Sequence, residues 1–394
     1  MRCLMLELFF SMLAGLLLGM LSGLFPELHP NLLAPLLALS ISDPGIVAVL
    51  LISMLVTSSV LDSIPAVFMG TPNPDSGIAL LPTHKLVAKG FGTDAVRFSV
   101  LGSLLGLLFA FLFVPLLAYV LPLVYASLRP FVVFVLCGLV LFFVLKETGM
   151  KKFWALFVFA SAGILGFVVL NSTLPEPLTV LFSGLFAVPN LLLSLLKKSV
   201  LPAQTTASIV HVSPIRAVLS TVGALLAGFV LVLVPSTSPS HAAYAARVFA
   251  REPKQYLILQ GALRSIDGVF SLVGLLVLHN ARNGVVAVLK GTLVVTSDQV
   301  WFLIGIALVC GGIAALVCAW LVVRIPSILT RLKYERVCVV LLFLICSLVL
   351  YFSGVMGLLV MMLATAIGLT AILTGISRSH CMGVLLVPTI RYFL

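Results

Sequence analysis

The apolar residues of this chain come in unbroken runs of about 20, and no other feature constrains its fold so tightly. At about 1.5 Å of rise per residue such a run forms a helix of about 30 Å, the thickness of a bilayer's hydrocarbon core. A soluble domain carries roughly a quarter charged residues. Here 9% of the 394 residues are charged and 62% are hydrophobic. Disorder is excluded as well, since Leu, Val, Ile and Phe dominate. The sequence therefore predicts an all-α polytopic protein of the cell membrane.

Spans are predicted over 3–24, 45–69, 97–124, 130–146, 154–171, 177–196, 216–234, 257–279, 300–323, 337–354 and 356–374. Three apolar pieces, 32–41, 284–296 and 382–390, are too short or too broken to cross simply. Beside Pro and Gly they read as re-entrant or discontinuous helices, giving about 10–12 transmembrane or re-entrant helices in total. Met1-Arg2 followed by an apolar run resembles a signal peptide. The run reaches Leu24 without a small-residue cleavage pattern, so a retained first helix is expected.

Twenty-three Lys and Arg against twelve Asp and Glu give a net charge of +11. The cations form short clusters between apolar runs, as at Lys146, Lys151 and Lys152, and at Lys197 and Lys198. That is positive-inside bias, with anionic lipid headgroups as counter-charge, and nucleic-acid binding is not expected. Loop charges alternate, which puts 84–97, 146–153 and 197–198 on the cytoplasmic side. Seven cysteines lie mostly inside apolar runs without a C-x-x-C pair, so neither a disulfide framework nor a zinc site is predicted.

Internal repetition is more informative. Gly15, Gly19 and Gly23 lead into Pro26-Glu27-Leu28-His29-Pro30-Asn31, and Gly223 and Gly228 lead into Pro235-Ser236-Thr237-Ser238-Pro239-Ser240. Each is a Gly-rich helix broken at a P-x3-P element, and an Asp follows about 30 residues later in an apolar run. Those residues are Asp62 and Asp267. Gly and Pro are common in membrane helices, but the double occurrence favours two repeated halves, 1–200 and 201–394. Proline removes an N–H and clashes with the preceding turn, so nearby backbone groups lose their helical partners. Freed carbonyls hold cations, and freed helix N-termini attract carboxylates. Span counting puts Arg2 and Arg216 on one side, as in parallel repeats. A re-entrant 177–196 would invert that parity.

With these residues in hand the chain resembles the large membrane subunit of the tripartite tricarboxylate transporters, in particular the shorter archaeal-type members. "GLFPELHPN" (23–31) is similar to the family's Gly-rich entry into its first break, and "SIPAVFMGTP" (63–72) to the segment that follows. Ala88-Lys89-Gly90, the G-L-F-x-x-P element at Gly184 to Pro189, Asp267-Gly268-Val269 and the R-S-H-x-M-G ending at Arg378 to Gly383 follow in order. The resemblance implies a secondary carboxylate permease driven by sodium or protons. In bacterial relatives a small membrane subunit and an extracytoplasmic binding protein complete the system. A homodimer is also compatible with it. Glu27, His29, Ser236 and Ser238 stand where the family has glycines.

The candidate site follows from both readings. Pro26, His29, Asn31, Pro235, Ser236, Thr237, Ser238 and Ser240 are candidates for substrate binding. Glu27, Thr57, Ser58, Asp62 and Asp267 are candidates for ion coupling, with sodium the one metal considered and no other cofactor expected. An ionised carboxylate inside a span is costly and therefore functional by default, which puts Asp62 first. The bland alternative for Asp62 is a hydrogen bond to Thr57, Ser58 or Ser59 one turn away. Asp267 has Arg264 at i−3, which offers local neutralisation. Glu27, His29 and the 236–240 hydroxyls read equally well as solvated turns. Two alternatives stand beside the permease: a channel or structural subunit, and an intramembrane aspartyl protease using Asp62 and Asp267. An enzyme is not expected, since H-E-x-x-H and adjacent acidic pairs are absent.

Overall fold

A computed structural model of the chain describes residues 2–25, 28–68, 86–87, 89–196, 211–234, 239–325 and 334–394. Among them are helices and no strands, and nine helical segments are long and apolar enough to cross a membrane. The all-α multi-pass architecture is thus as expected.

The first helix, α1 (Arg2–Leu24), lies along α3 (Pro44–Leu61), with the short α2 (Pro30–Ser40) between them in sequence. The glycine series is the reason for the close fit. A Cβ on Gly19 would stand 2.6 Å from Thr57 Cβ, and one on Gly15 would stand 2.4 Å from the Leu50 carbonyl oxygen. Asp43 caps α3, accepting from the Gly45 and Ile46 amides at 2.7 and 3.1 Å. The predicted span 45–69 is interrupted at Asp62 and resumes as α4 (Ser63–Phe68), whose Pro65 cannot donate to the preceding turn.

Two predicted spans, 97–124 and 130–146, are joined without a loop. The long α5 (Gly92–Leu128) passes through a 3-10 turn at Arg129–Phe131 into α6 (Val132–Lys146). The whole segment has 55 residues, roughly 80 Å of helix, so this turn is where the chain must redirect to stay within a bilayer. After α7 (Lys151–Leu170), α8 (Pro177–Leu196) contains a π turn at Ser183–Ala187. Pro189 supplies no N–H to the Leu185 carbonyl, and the widened turn absorbs the mismatch.

The second half begins with α9 (Pro214–Leu233) and the short α10 (Pro239–Ala245), which the hydropathy pattern did not predict. Next come α11 (Pro253–Leu278), the short α12 (Gly284–Thr292) and α13 (Ser297–Val322). The segment Tyr334–Leu373, α14, is broken at Gly354, whose φ of 62° and ψ of −162° separate the two spans expected there. A 3-10 turn and α15 (Gly383–Phe393) close the described chain.

The spans that carry Asp62 and Asp267 are the two most buried, 72% for Pro44–Phe68 and 67% for Pro253–Leu278. Each lies between other helices: α3 against α1 and α13, and α11 against α9 and α5. The α5–α11 crossing is the tightest contact, with the Gly261 Cα seated on the Ser99 carbonyl and Gly102 on that of Ile258. The rest of α5 and α6, with α7 and α14, show long apolar side chains outward, as lipid-facing helices do.

Candidate functional site

Six sequence candidates, Pro26, Glu27, Pro235, Ser236, Thr237 and Ser238, lie outside the described residues, as does the side chain of Ser240. The flanks of the breaks are described. His29 Nδ1 accepts from the Asn31 amide at 3.3 Å, capping α2. Asn31 Oδ1 in turn accepts the Val285 amide at 3.1 Å, and Asn283 Oδ1 accepts that of Val286 at 2.8 Å. The first turns of α2 and α12 therefore meet, and the side chain of Asn31 ties one half of the sequence to the other. These helices have 11 and 9 residues, roughly 16 and 14 Å, which is about half a bilayer. Their N-termini bring partial positive charge to one place.

Asp62 stands at the break between α3 and α4. Arg264 on α11 donates to it, Nη1 to Oδ2, at 2.9 Å. The other terminal nitrogen of Arg264 donates to Ser99 Oγ on α5 at 3.0 Å, while its Nε is buried without a hydrogen-bond partner. Beside the guanidinium is a cavity sized for about one water molecule, lined by Ser63, Ser99, Leu257, Gln260 and Arg264 among others. The Arg264 side chain is 12% exposed and that of Asp62 22%. In a setting so poor in water an arginine is retained only with compensating acceptors.

Asp267 has a different partner. Arg282 Nε donates to its Oδ1 at 2.5 Å, and Arg282 Nη1 donates to the Leu231 carbonyl in the last turn of α9. One arginine thus joins the end of α9, the middle of α11 and the entry to α12. The local pairing of Asp267 with Arg264 expected from their spacing is not formed. Arg264 turns instead to an acid 202 residues away. The protease alternative fails here too, because a catalytic pair of aspartates shares a proton between its carboxyls. Each of these aspartates is held by its own arginine.

Thr57 and Ser58 sit in the α1–α3 interface, Thr57 against Gly19 and the Ser58 backbone against Gly23. Two residues that sequence reasoning did not nominate for the site, Ser99 and Arg282, are part of it. Arg282 carries a signal, a lone arginine between two apolar helices. Ser99 carries none.

The family model for the tripartite tricarboxylate transporter TctA family matches residues 9–383. The chain belongs to this family. An uncharacterized protein of Methanocaldococcus jannaschii is 27% identical over 358 residues, covering 87% of this chain and 88% of its own length. No solved structure matches the chain. As a TctA-family chain it is a transporter component rather than an enzyme, and a multi-pass protein of the cell membrane.

Two elements that carry the TctA resemblance are structural in this chain. Gly184 to Pro189 covers most of the π turn of α8 and the first two residues after it, packed on α14. A Cβ on Gly368 of α14 would lie 2.3 Å from the Leu185 carbonyl oxygen that Pro189 leaves without its helical donor. The 3-10 turn at Arg378–Met382 holds His380 against Glu147, Nε2 to Oε1 at 3.3 Å, and the Ser377 amide donates to that same oxygen at 3.0 Å. Burial pushes the His380 imidazole below its ordinary value, an effect partly offset by the hydrogen bond and charge of Glu147.

Proposed function

We propose that this TctA-family chain is a secondary active permease for small di- or tricarboxylates. Residues 1–200 and 201–394 form two repeated halves that move against each other in alternating access. The observation that carries the proposal is the Asp62–Arg264 pair, a charge pair between the two most buried spans, one from each half. A buried pair across halves is costly to keep for stability alone and useful where an anion and a coupling ion must meet. The packing supports the two-half reading: α1 on α3 and α9 on α11 are equivalent contacts, as are α3 on α13 and α11 on α5. In this scheme the converging N-termini of α2 and α12, with Asn31 and the Ser236–Ser240 element, face the anion. Asp62 and Asp267, with Glu27 at the first break, serve the sodium ion or proton. A small membrane subunit and an extracytoplasmic binding protein are the partners the family name implies.

The test is uptake of labelled citrate, succinate and related carboxylates into proteoliposomes, with sodium and proton gradients imposed separately. Accumulation above equilibrium under one gradient is expected. Absence of accumulation for every carboxylate overturns the reading, and simple equilibration would make the chain a channel.

A further inference from the structure

We propose that the two halves form an inverted repeat and that Asp62 and Arg264 are its cytoplasmic gate, the contact that breaks when the carrier opens to that side. The inference rests on the permease reading and deepens it. Helices of the two halves share one register. Leu24 and Leu233 end α1 and α9, Pro30 and Pro239 start α2 and α10, and Pro44 and Pro253 start α3 and α11, each pair 209 residues apart. The acidic N-caps Asp43 and Glu252 keep that spacing. Gly15, Gly19 and Gly23 meet Leu50, Met54 and Ser58 in ascending order, so α1 and α3 are parallel. Gly228 meets Ile266 and Gly274 meets Val232, so α9 and α11 are parallel too. Yet α3 and α11 cross antiparallel: Asp62 reaches Arg264, whereas the earlier Leu55 meets the later Gly268. Equivalent helices therefore run in opposite directions, as around a two-fold axis in the membrane plane.

The charges agree. Arg216, Arg247, Arg251 and Lys254, around the starts of α9 and α11, correspond to Glu7, Ala38, Ser42 and Gly45 around those of α1 and α3. Cations mark the cytoplasmic side, so α11 begins there and α3 begins outside. Span counting put the starts of α1 and α9 on one side because it gave 32–41 no crossing. The chain returns through α2, which lets α3 run parallel to α1.

The axis passes between the two α3–α11 contacts, where the equivalent residues Ser58 and Asp267 lie, so Asp62 and Asp267 are not counterparts. On the cytoplasmic side of it Arg264 bonds Asp62 and Ser99, beside the small cavity lined by Ser63 and Gln260. The external counterparts of Arg264, Ser99, Ser63 and Gln260 are Leu55, Leu308, Leu272 and Leu51, and that of Asp62 is Ser271. The ion pair thus has no external equivalent. A buried pair is strong while dry and weak once both charges are hydrated, so water entering from the cytoplasm releases it. The leucines part only by exposing apolar surface to water. Of the two sides, the charged one is built to open and close.

The experiment is labelling with a membrane-impermeant maleimide, on intact cells and on inside-out vesicles, read against the wild-type background. Ser42→Cys is expected to react only from outside and Arg251→Cys only from the cytoplasm. Labelling of both from one side overturns the inverted repeat and the gate with it. Gln260→Cys, one turn to the cytoplasmic side of Arg264, and its counterpart Leu51→Cys then report the gate. Adding Asp62→Asn leaves the Arg264 charge without its carboxylate, and hydration from the cytoplasm relieves it. An open state populated at about 10% or less becomes the major one. Cytoplasmic labelling of Gln260→Cys should therefore rise at least about tenfold, while external labelling of Leu51→Cys does not rise. Asp62→Asn with Arg264→Gln removes both charges, guards against misfolding of the single variant, and should return Gln260→Cys toward its original rate. No rise at Gln260→Cys, a rise at both positions, which is general loosening, or a double variant as open as the single one overturns the gate. Labelling needs no substrate, so a failed gate leaves carboxylate uptake standing, and absent uptake leaves the labelling result standing.

Discussion

Replacing Gly261 with alanine puts a methyl group where α5 and α11 touch. The added Cβ would lie 2.0 Å from the Ser99 carbonyl oxygen, against 3.4 Å for ordinary contact, so the backbones must part by up to 1.4 Å. Ser99 is also the residue whose hydroxyl receives Arg264 at 3.0 Å, and a separation of that size would break this hydrogen bond. Overpacking of this kind costs about 1–3 kcal/mol. The same exchange at Gly312 on α13, where nothing lies within 4 Å of the new Cβ, should be neutral or stabilising by up to about 1 kcal/mol, alanine being the better helix former. Thermal unfolding in detergent can be followed with a thiol-reactive coumarin, because Cys310, Cys318, Cys338 and Cys381 are buried and become reactive as the bundle opens. Gly261→Ala should unfold at a lower temperature and bind citrate more weakly. Gly312→Ala should match or exceed wild type. An unfolding temperature and citrate affinity for Gly261→Ala equal to wild type would refute the argument that this crossing holds Ser99 against Arg264.

Arg282→Gln leaves Asp267 as a half-buried carboxylate without its arginine and should destabilise by about 3–5 kcal/mol, whereas Asp267→Asn with Arg282→Gln should recover most of that loss. The same thermal assay on the two single variants and the double variant reads this coupling, and additive losses would deny it. The burial that lowers the His380 pKa means that the unfolded chain binds that proton more readily than the native one. The stabilisation is complete above the unfolded value of about 6.5 and is lost as pH falls below it. The unfolding temperature of wild type should therefore drop between pH 7 and pH 5 more than that of His380→Gln; parallel profiles would remove His380 as the source.

Much of the architecture was legible in one dimension. Apolar runs of bilayer length dictate helices whatever their neighbours, because backbone polar groups have no other partners in hydrocarbon. The series Gly15, Gly19 and Gly23 was visible as a Gly-rich helix before a break, and the structure adds that α3 packs on it. Short runs at 32–41 and 284–296 could be recognised as partial spans from length alone. What sequence could not supply was the contact between them through Asn31 and Val285, since no local rule joins residues 254 positions apart. The kink at Gly354 and the turn at Arg129–Phe131 both fell at predicted boundaries between spans, the second marked by Arg129 and Pro130; that no loop separates α5 from α6 was not foreseen.

The sequence by itself determined that this chain lives in a bilayer, that it resembles the tripartite tricarboxylate transporters, and that Asp62 and Asp267 are costly enough to need partners. Only the tertiary structure decided who those partners are. On spacing alone Arg264 belonged to Asp267, one turn away on the same helix. In the folded protein the glycine crossing of α5 and α11 brings Ser99 close to α11, where Arg264 bonds both it and Asp62, and the α11–α12 connection supplies Arg282 to Asp267. A buried charge demands an opposite charge, and that demand is visible in composition. Which charge answers it depends on how closely the helices pack.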